Sequence, residues 1–350
     1  MTDTSQRVNT NQLGAYALPG RVNDPMPALE QARTAERVGL QTIWLSERYG
    51  TKDLAVLSGA IAAITSRIQI ATGISHFLFR HPLVLASMTM TTQAISNGRF
   101  LLGVGRSVEY AWRSAGLPNM TNQALIDSAH IHRELCAGRK VSYDGPAGRF
   151  PAMRLPDIPD VAIPPLILAA IGPKTLQIAG AHFDGVLLHP FLTPAAVSRS
   201  SAIVRQAARQ AGRDPRSVRI FATVVTAPDL PEEDELKIVG GRAVTYYQIP
   251  QFGELLARTN GWDIADLATL RAHPMLANLK GAADNLFSKD QLAEVGRSIP
   301  RNWLYEAAAV GSSSACAAKL HTYLAHGADE IVIHGSVPEL LGPTVASFRG

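Results

Sequence analysis

Cysteine is nearly absent: Cys136 and Cys316 are the only two in 350 residues, with no Cys-x-x-Cys and no metal-spaced histidines beside either. That excludes a disulfide-built scaffold and a structural zinc site, no metal is expected, and a reduced intracellular protein follows. Long apolar runs are also missing. No stretch approaches the roughly 18 apolar residues of a membrane span, and the leading MTDTSQRVNTNQ lacks the apolar core of a signal peptide. A cytoplasmic protein is the expectation. Nor does one sign of charge dominate, because 33 Lys and Arg are interleaved with 29 Asp and Glu for a net charge of +4. Without a basic run or an aromatic-basic stripe, nucleic acid is a poor partner and a small anionic ligand a better one.

What the chain does hold is 46% hydrophobic residues, arranged in short runs. LGAYAL (13–18), TIWLS (42–46), IQIATG (68–73), RFLLGVG (99–105), PLILAA (165–170), GVLLH (185–189), VRIFATVVT (218–226) and EIVIH (330–334) are eight strand candidates. Their nearly continuous apolar character suits parallel strands covered on both faces. Between them lie stretches of helical periodicity. In MPALEQARTAERVG (26–39), Leu29, Ala32, Ala35, Glu36 and Val38 mark a half-apolar face that ends at Gly39, a helix C-cap candidate. The early strands start about 30 residues apart, the length of one βα unit, and eight units close most economically into a (β/α)8 barrel. An open doubly wound sheet is the alternative.

Two intervals break the period. Residues 106–164 contain a helical stretch and then VSYDGPAGRFPAMRLPDIPDVAIPP, which reads as an excursion across the barrel face. Residues 229–329 are far longer than an ordinary loop, and 232–259, 263–271, 289–297 and 313–326 read as helices. The expected organisation is one TIM-barrel domain over 1–350, with 229–305 as a helical cap inserted between strands seven and eight. The cap's Tyr246, Tyr247, Phe252 and Trp262 offer surface to a substrate, although a helical core accounts for such residues as well.

Two turns invite chemistry. NGRFLLGVGRS (97–107) imitates a dinucleotide fingerprint, but Val108 stands where its third glycine belongs and three βα units precede it. In AAIGPKT (169–175) the strand ending at Ala170 delivers Gly172, Pro173, Lys174 and Thr175 to a helix start, where free N–H groups and the dipole favour a phosphate. Pro173 suits the first helical turn. No nucleophile elbow, Walker loop, H-E-x-x-H or calcium loop is present.

RHPLVLASMTMTTQAISNGRFLLGVGRS (80–107), with its R-x-P, S-x-G-R and L-G-x-G, resembles the luciferase-like monooxygenase superfamily, in particular its coenzyme F420-dependent oxidoreductases. AAIGPKTLQIAGAHFDGVLLH (169–189), WLSERY (44–49), IATGIS (70–75) and GADEIVIHG (327–335) extend the resemblance over nearly the whole chain except 229–305. It implies F420 as cofactor, with FMN as alternative, and hydride transfer to or from a carbonyl, alcohol, imine or activated alkene. An FMN-dependent monooxygenase and a cofactor-storing or regulatory barrel are rival readings. The resemblance further implies a cis peptide at Gly73–Ile74 behind the cofactor ring, and a homodimer formed through outer helices. By the same resemblance the family's acid falls on Glu47, while Arg48 replaces its histidine. A guanidinium is a poor general acid, so the proton is expected from Glu47 or His76, with Glu109 behind them. Gly103 and Gly105 would leave room for the ring, Arg106 would meet an anion, and His189–Pro190 could line the same mouth.

Overall fold

The eight apolar runs pair side by side. In the computed structural model, which describes residues 12–19, 24–47, 52–106, 109–277, 279, 281 and 283–350 without the side chains of 109–111, the strands follow in chain order. They are β1 (Leu13–Tyr16), β2 (Thr42–Leu45), β3 (Gln69–Thr72), β4 (Ser75–His76), β5 (Phe100–Gly105), β6 (Val141–Gly145) and β7 (Gly148–Met153). Then come β8 (Leu166–Ala170), β9 (Gly185–Leu188), β10 (Arg219–Pro228), β11 (Ala308–Gly311) and β12 (Glu330–His334). All pairings in the order β1-β2-β3-β5-β8-β9-β10-β12 are parallel, and β12 pairs back to β1. This is a closed (β/α)8 barrel, and its eight strands fall within the eight runs read from the sequence except that β10 extends two residues further.

The helices alternate with those strands: α1 (Pro27–Val38), α2 (Leu54–Ile64), α3 (Pro82–Ile95), α4 (Glu109–Ser114), α5 (Asn122–Cys136), α6 (Pro173–His182) and α7 (Pro194–Gln210). The segment after β10 holds α8 (Glu232–Tyr247), α9 (Phe252–Asn260), α10 (Leu267–Arg271), α11 (Ala283–Leu286), α12 (Lys289–Gly296) and α13 (Arg301–Glu306). After β11 come α14 (Ser313–Ala325) and α15 (Gly342–Arg349). Gly39 ends α1 in the left-handed region (φ 83°), its N–H bonded to the carbonyls of Ala35 and Glu36, as the apolar face required. Inside the barrel Tyr16, Trp44, Ala71, Leu101, Ile167, Leu187, Phe221 and Val332 form a separate apolar core, topped by Leu18, Ile74 and Ala169.

Three features differ from expectation. The proline-rich excursion is a hairpin, β6–β7, on the outer flank rather than across the mouth: Val141 and Met153 pack with Ala86 and Met90 of α3 and Ile131 and Leu135 of α5. The 232–259 helix is two helices, since Pro250 has no N–H to donate and Gln251 sits at φ 66°. Strand β11 went unread; it pairs with Val225–Pro228, the part of β10 that outreaches the barrel, and its Ala-rich sequence lacks the β-branched signature of a strand.

Candidate active site at the barrel mouth

Strand β3 does not run straight into β4. The Gly73–Ile74 peptide between them is cis, and β4 resumes pairing higher on β5, with Ser75 opposite Val104 and His76 opposite Gly105. At this bulge the Thr72 hydroxyl donates to the Gly103 carbonyl (2.6 Å) and accepts from the Gly103 N–H (2.7 Å). A Cβ on Gly103 would stand 1.9 Å from the Thr72 carbonyl oxygen, and one on Gly105 would stand 2.0 Å from Ile74 Cδ1. The two glycines therefore make room for the chain's own bulge. A ligand lying there would meet Ile74 rather than a vacancy beside glycine.

The bulge also organises Glu47, which follows β2. Its N–H donates to the Ile74 carbonyl (3.4 Å), and its carboxylate accepts from the Ser75 hydroxyl (3.3 Å) and the Leu54 N–H (3.2 Å). Arg80 grips both carboxylate oxygens at 3.0–3.3 Å and reaches Asp53 at 3.0 Å. The side chains of Glu47 and Arg80 are only 2% and 13% exposed, so this is a buried, two-pronged ion pair. Every hydrogen bond to the Glu47 carboxylate among the described residues is donated to it, so the side chain serves there as an acceptor. Arg80 belongs to the R-x-P segment, yet nothing local in the sequence announced its partner 33 positions earlier. Arg48 lies outside the described residues.

His76 is buried, and its Nδ1–H donates to the Gly105 carbonyl (3.0 Å), which leaves Nε2 as the acceptor nitrogen. Burial holds its pKa below the usual imidazole value, so the ring is neutral at neutral pH. His189 ends the β9 run with Nδ1 bonded to the Pro190 carbonyl (2.8 Å), edge-on to Tyr246 (4.4 Å) and Phe252 (5.0 Å) of the inserted helices. Burial among these neighbours pushes its pKa down to about 4. Tyr16 lies below, beside the His334 ring (4.8 Å), its phenol pushed up by burial.

Across the mouth, β8 ends at Ala170 and α6 begins. Gly172 is the N-cap and offers no side-chain cap, while Pro173 occupies the first turn and Lys174 is exposed without an ion pair among the described residues. The unsatisfied N–H groups of Lys174 and Thr175 thus face outward at the positive end of a ten-residue helix. Leu255 of α9 lies at ordinary contact distance, 3.8 Å, from where a Gly172 Cβ would be. Arg106, after β5, is engaged by Asn122 at the start of α5. Glu109 opens α4 on the same rim. No group of three metal-ligating side chains occurs among the described residues.

The family model for luciferase-like monooxygenases matches residues 4–330. The chain belongs to that family. Among curated relatives, this luciferase-like chain is similar to the 5,10-methylenetetrahydromethanopterin reductase of Methanolobus tindarius, 31% identical over 199 residues, 55% of this chain and 58% of the relative. It is also similar to the F420-dependent glucose-6-phosphate dehydrogenase of Amycolatopsis mediterranei, 30% identical over 177 residues, 47% of this chain and 53% of the relative. The chain spans about half the length of the curated relatives it matches. Among solved structures, the F420-dependent tetrahydromethanopterin reductase from Methanopyrus kandleri superposes with a TM-score of 0.77 at 18% identity, over 96% of this chain and 97% of that one. That likeness carries the luciferase-like barrel.

Proposed function

We propose that the protein is an F420-dependent oxidoreductase that transfers a hydride between the deazaflavin and a small organic substrate, a carbonyl or alcohol, an imine or an activated alkene. The observation that carries this reading is the α6 N-terminus at the barrel mouth, uncapped by any side chain and flanked by Lys174. Named relatives that use F420 support the choice of cofactor. The residues fit such a group at both ends. Lys174, Thr175 and the first N–H groups of α6 would hold its phosphate, and the apolar floor of Leu18, Ile74 and Ala169 would back its ring. Once bound, the deazaflavin supplies two electrons as a hydride.

The chain's own part is alignment and proton handling. Glu47, clasped by Arg80, Ser75 and Leu54, fixes the rim of the bulge and stays an acceptor. His76, a neutral imidazole with its Nδ1 proton committed to Gly105, is the better proton carrier, through Nε2. Helices α8–α13 cap the substrate side, since Tyr246 and Phe252 reach His189 and Leu255 reaches Gly172. Two copies would pair through the outer face of α2 and α3, where Val56, Val84 and Ile95 are exposed. The two free, buried cysteines suit a reducing compartment such as the cytoplasm, and no described helix is long and apolar enough to cross a membrane.

The test is separate titration of the purified protein with F420 and FMN, followed by tryptophan fluorescence. F420 should bind at micromolar levels and FMN much more weakly, and Lys174→Glu should weaken F420 by about 10- to 100-fold through loss of a charge-assisted hydrogen bond worth about 1.5–3 kcal/mol. Absence of F420 binding overturns the proposal. Oxygen consumption coupled to hydroxylation with reduced FMN would establish the monooxygenase reading instead.

A further inference from the structure

Arginines that are partly buried in this protein are answered from within. Arg80 holds Glu47 and Asp53, Arg99 donates to the Ala62, Thr65 and Ile68 carbonyls, and Arg106 donates to Asn122. Arg133 and Arg213 share Asp184, Arg205 holds Asp329, Arg219 holds Glu330 and Arg271 holds Glu254. Arg242 is the exception. It is partly buried on α8, and among the described residues it makes no hydrogen bond and no ion pair. Its charge is nonetheless felt at the mouth, by the Tyr16 phenol on β1 and by the His189 imidazole after β9. One turn further along α8, Tyr246 meets the His189 ring at 4.4 Å, so positions 242 and 246 present the same helix face to the mouth. A guanidinium on that face with no carboxylate or carbonyl partner among the described residues keeps its planar set of donors for an anionic ligand.

We propose that Arg242 is the substrate-recognition residue for an anionic group, a carboxylate or phosphate on the molecule that is reduced or oxidised at this mouth. The inference deepens the function proposed above and rests on it. Tyr246, His189 and Phe252 supply the aromatic wall against which the substrate's carbon skeleton lies, and the planar guanidinium takes the anion by paired hydrogen bonds. Bound anion comes from one of two sources, the substrate or the charged tail of the cofactor, and Arg242 is assigned to the first because the cofactor's phosphate has its own seat at Lys174.

The test begins with apo-protein, so that it stands apart from F420 chemistry. Phenylglyoxal modification mapped by mass spectrometry should label Arg242 well ahead of Arg80 and Arg271, whose guanidiniums are paired. Sodium pyruvate or inorganic phosphate at millimolar levels should protect Arg242 by about fivefold or more, and methyl pyruvate, its neutral counterpart, should not. In F420-loaded enzyme, Arg242→Gln should raise KM for an anionic carbonyl substrate by about tenfold or more, with kcat nearly unchanged and the neutral ester unaffected. F420 affinity should be the same in Arg242→Gln and the parent. Equal protection by pyruvate and methyl pyruvate, or no protection by either anion, overturns the proposal. So does an F420 affinity about tenfold weaker in Arg242→Gln, which would give the arginine to the cofactor. Failure of the parent protein to bind F420 sinks the proposed function alone, because the protection experiment needs no cofactor.

Discussion

The two ends of the barrel differ in how completely their charges are paired. At the N-terminal end, Glu330 is buried and accepts from Thr42 (2.5 Å) and Arg219 (2.7 Å), Trp44 donates to Thr42 (2.7 Å), and the Arg219 guanidinium lies 4.6 Å over the Phe221 ring. Gly14 is required here, since a Cβ would fall 1.9 Å from the Thr42 hydroxyl. Every member of this plug is answered by another. At the C-terminal end Glu47 is answered by Arg80, but Arg242 and Lys174 have no protein partner among the described residues. Completed networks hold a fold together, whereas cations left over at a barrel mouth are the ones a ligand can use.

That contrast can be broken at several points. Removing the guanidinium in Arg80→Met leaves the Glu47 carboxylate buried with two weak donors, and the unfolding free energy in urea should drop by about 3–5 kcal/mol. A drop below about 1 kcal/mol would mean that Glu47 finds water and is no buried pair at all. At the opposite end, burial pushes the Glu330 carboxyl up to about 7 despite Arg219 and Thr42. A folded pKa above the unfolded one stabilises at low pH and loses that contribution as pH rises from about 4.5 to about 7. Glu330→Gln cannot ionise, so it should gain on the parent protein across this window, by at most about 1.4 kcal/mol per pH unit. Buried His132 and His189, with lowered pKa values, slope the other way in both proteins, so the difference between their melting curves reports Glu330. Parallel curves would show that the plug does not titrate. The smallest effect is expected where charge is solvated: Arg149 and Asp144 of the β6–β7 hairpin are 83% and 75% exposed, and Arg149→Ala should leave stability within about 0.5 kcal/mol.

Much of this molecule is legible residue by residue. Runs such as FLLGVG and LILAA read as strands because parallel strands buried on both faces need uninterrupted apolar sequence, and both are strands. GPKT reads as a helix start because proline and glycine act locally, and α6 starts there. The DGPAG turn of the β6–β7 hairpin is equally local, although the segment around it reads as an excursion across the barrel face. Other features have no local signature. Ala308–Gly311 is a strand only because β10 outreaches the barrel and offers it an edge. Gly105 looked like room for a ligand, and only the approach of Ile74 from the neighbouring strand shows what fills it.

The division has a physical basis. Backbone preference and apolar periodicity act over a few residues, so the sequence by itself determined the eight strands, the barrel they close into, the C-cap at Gly39 and the helix start at Gly172–Thr175. Electrostatic pairing acts through space. Which carboxylate Arg80 would hold, which face of α8 would turn inward and which arginine would be left without a partner were settled when barrel closure brought β1, β9 and the inserted α8 together. Arg242 was one basic residue among 33 until the fold set it on α8 one turn before Tyr246, which meets the His189 ring.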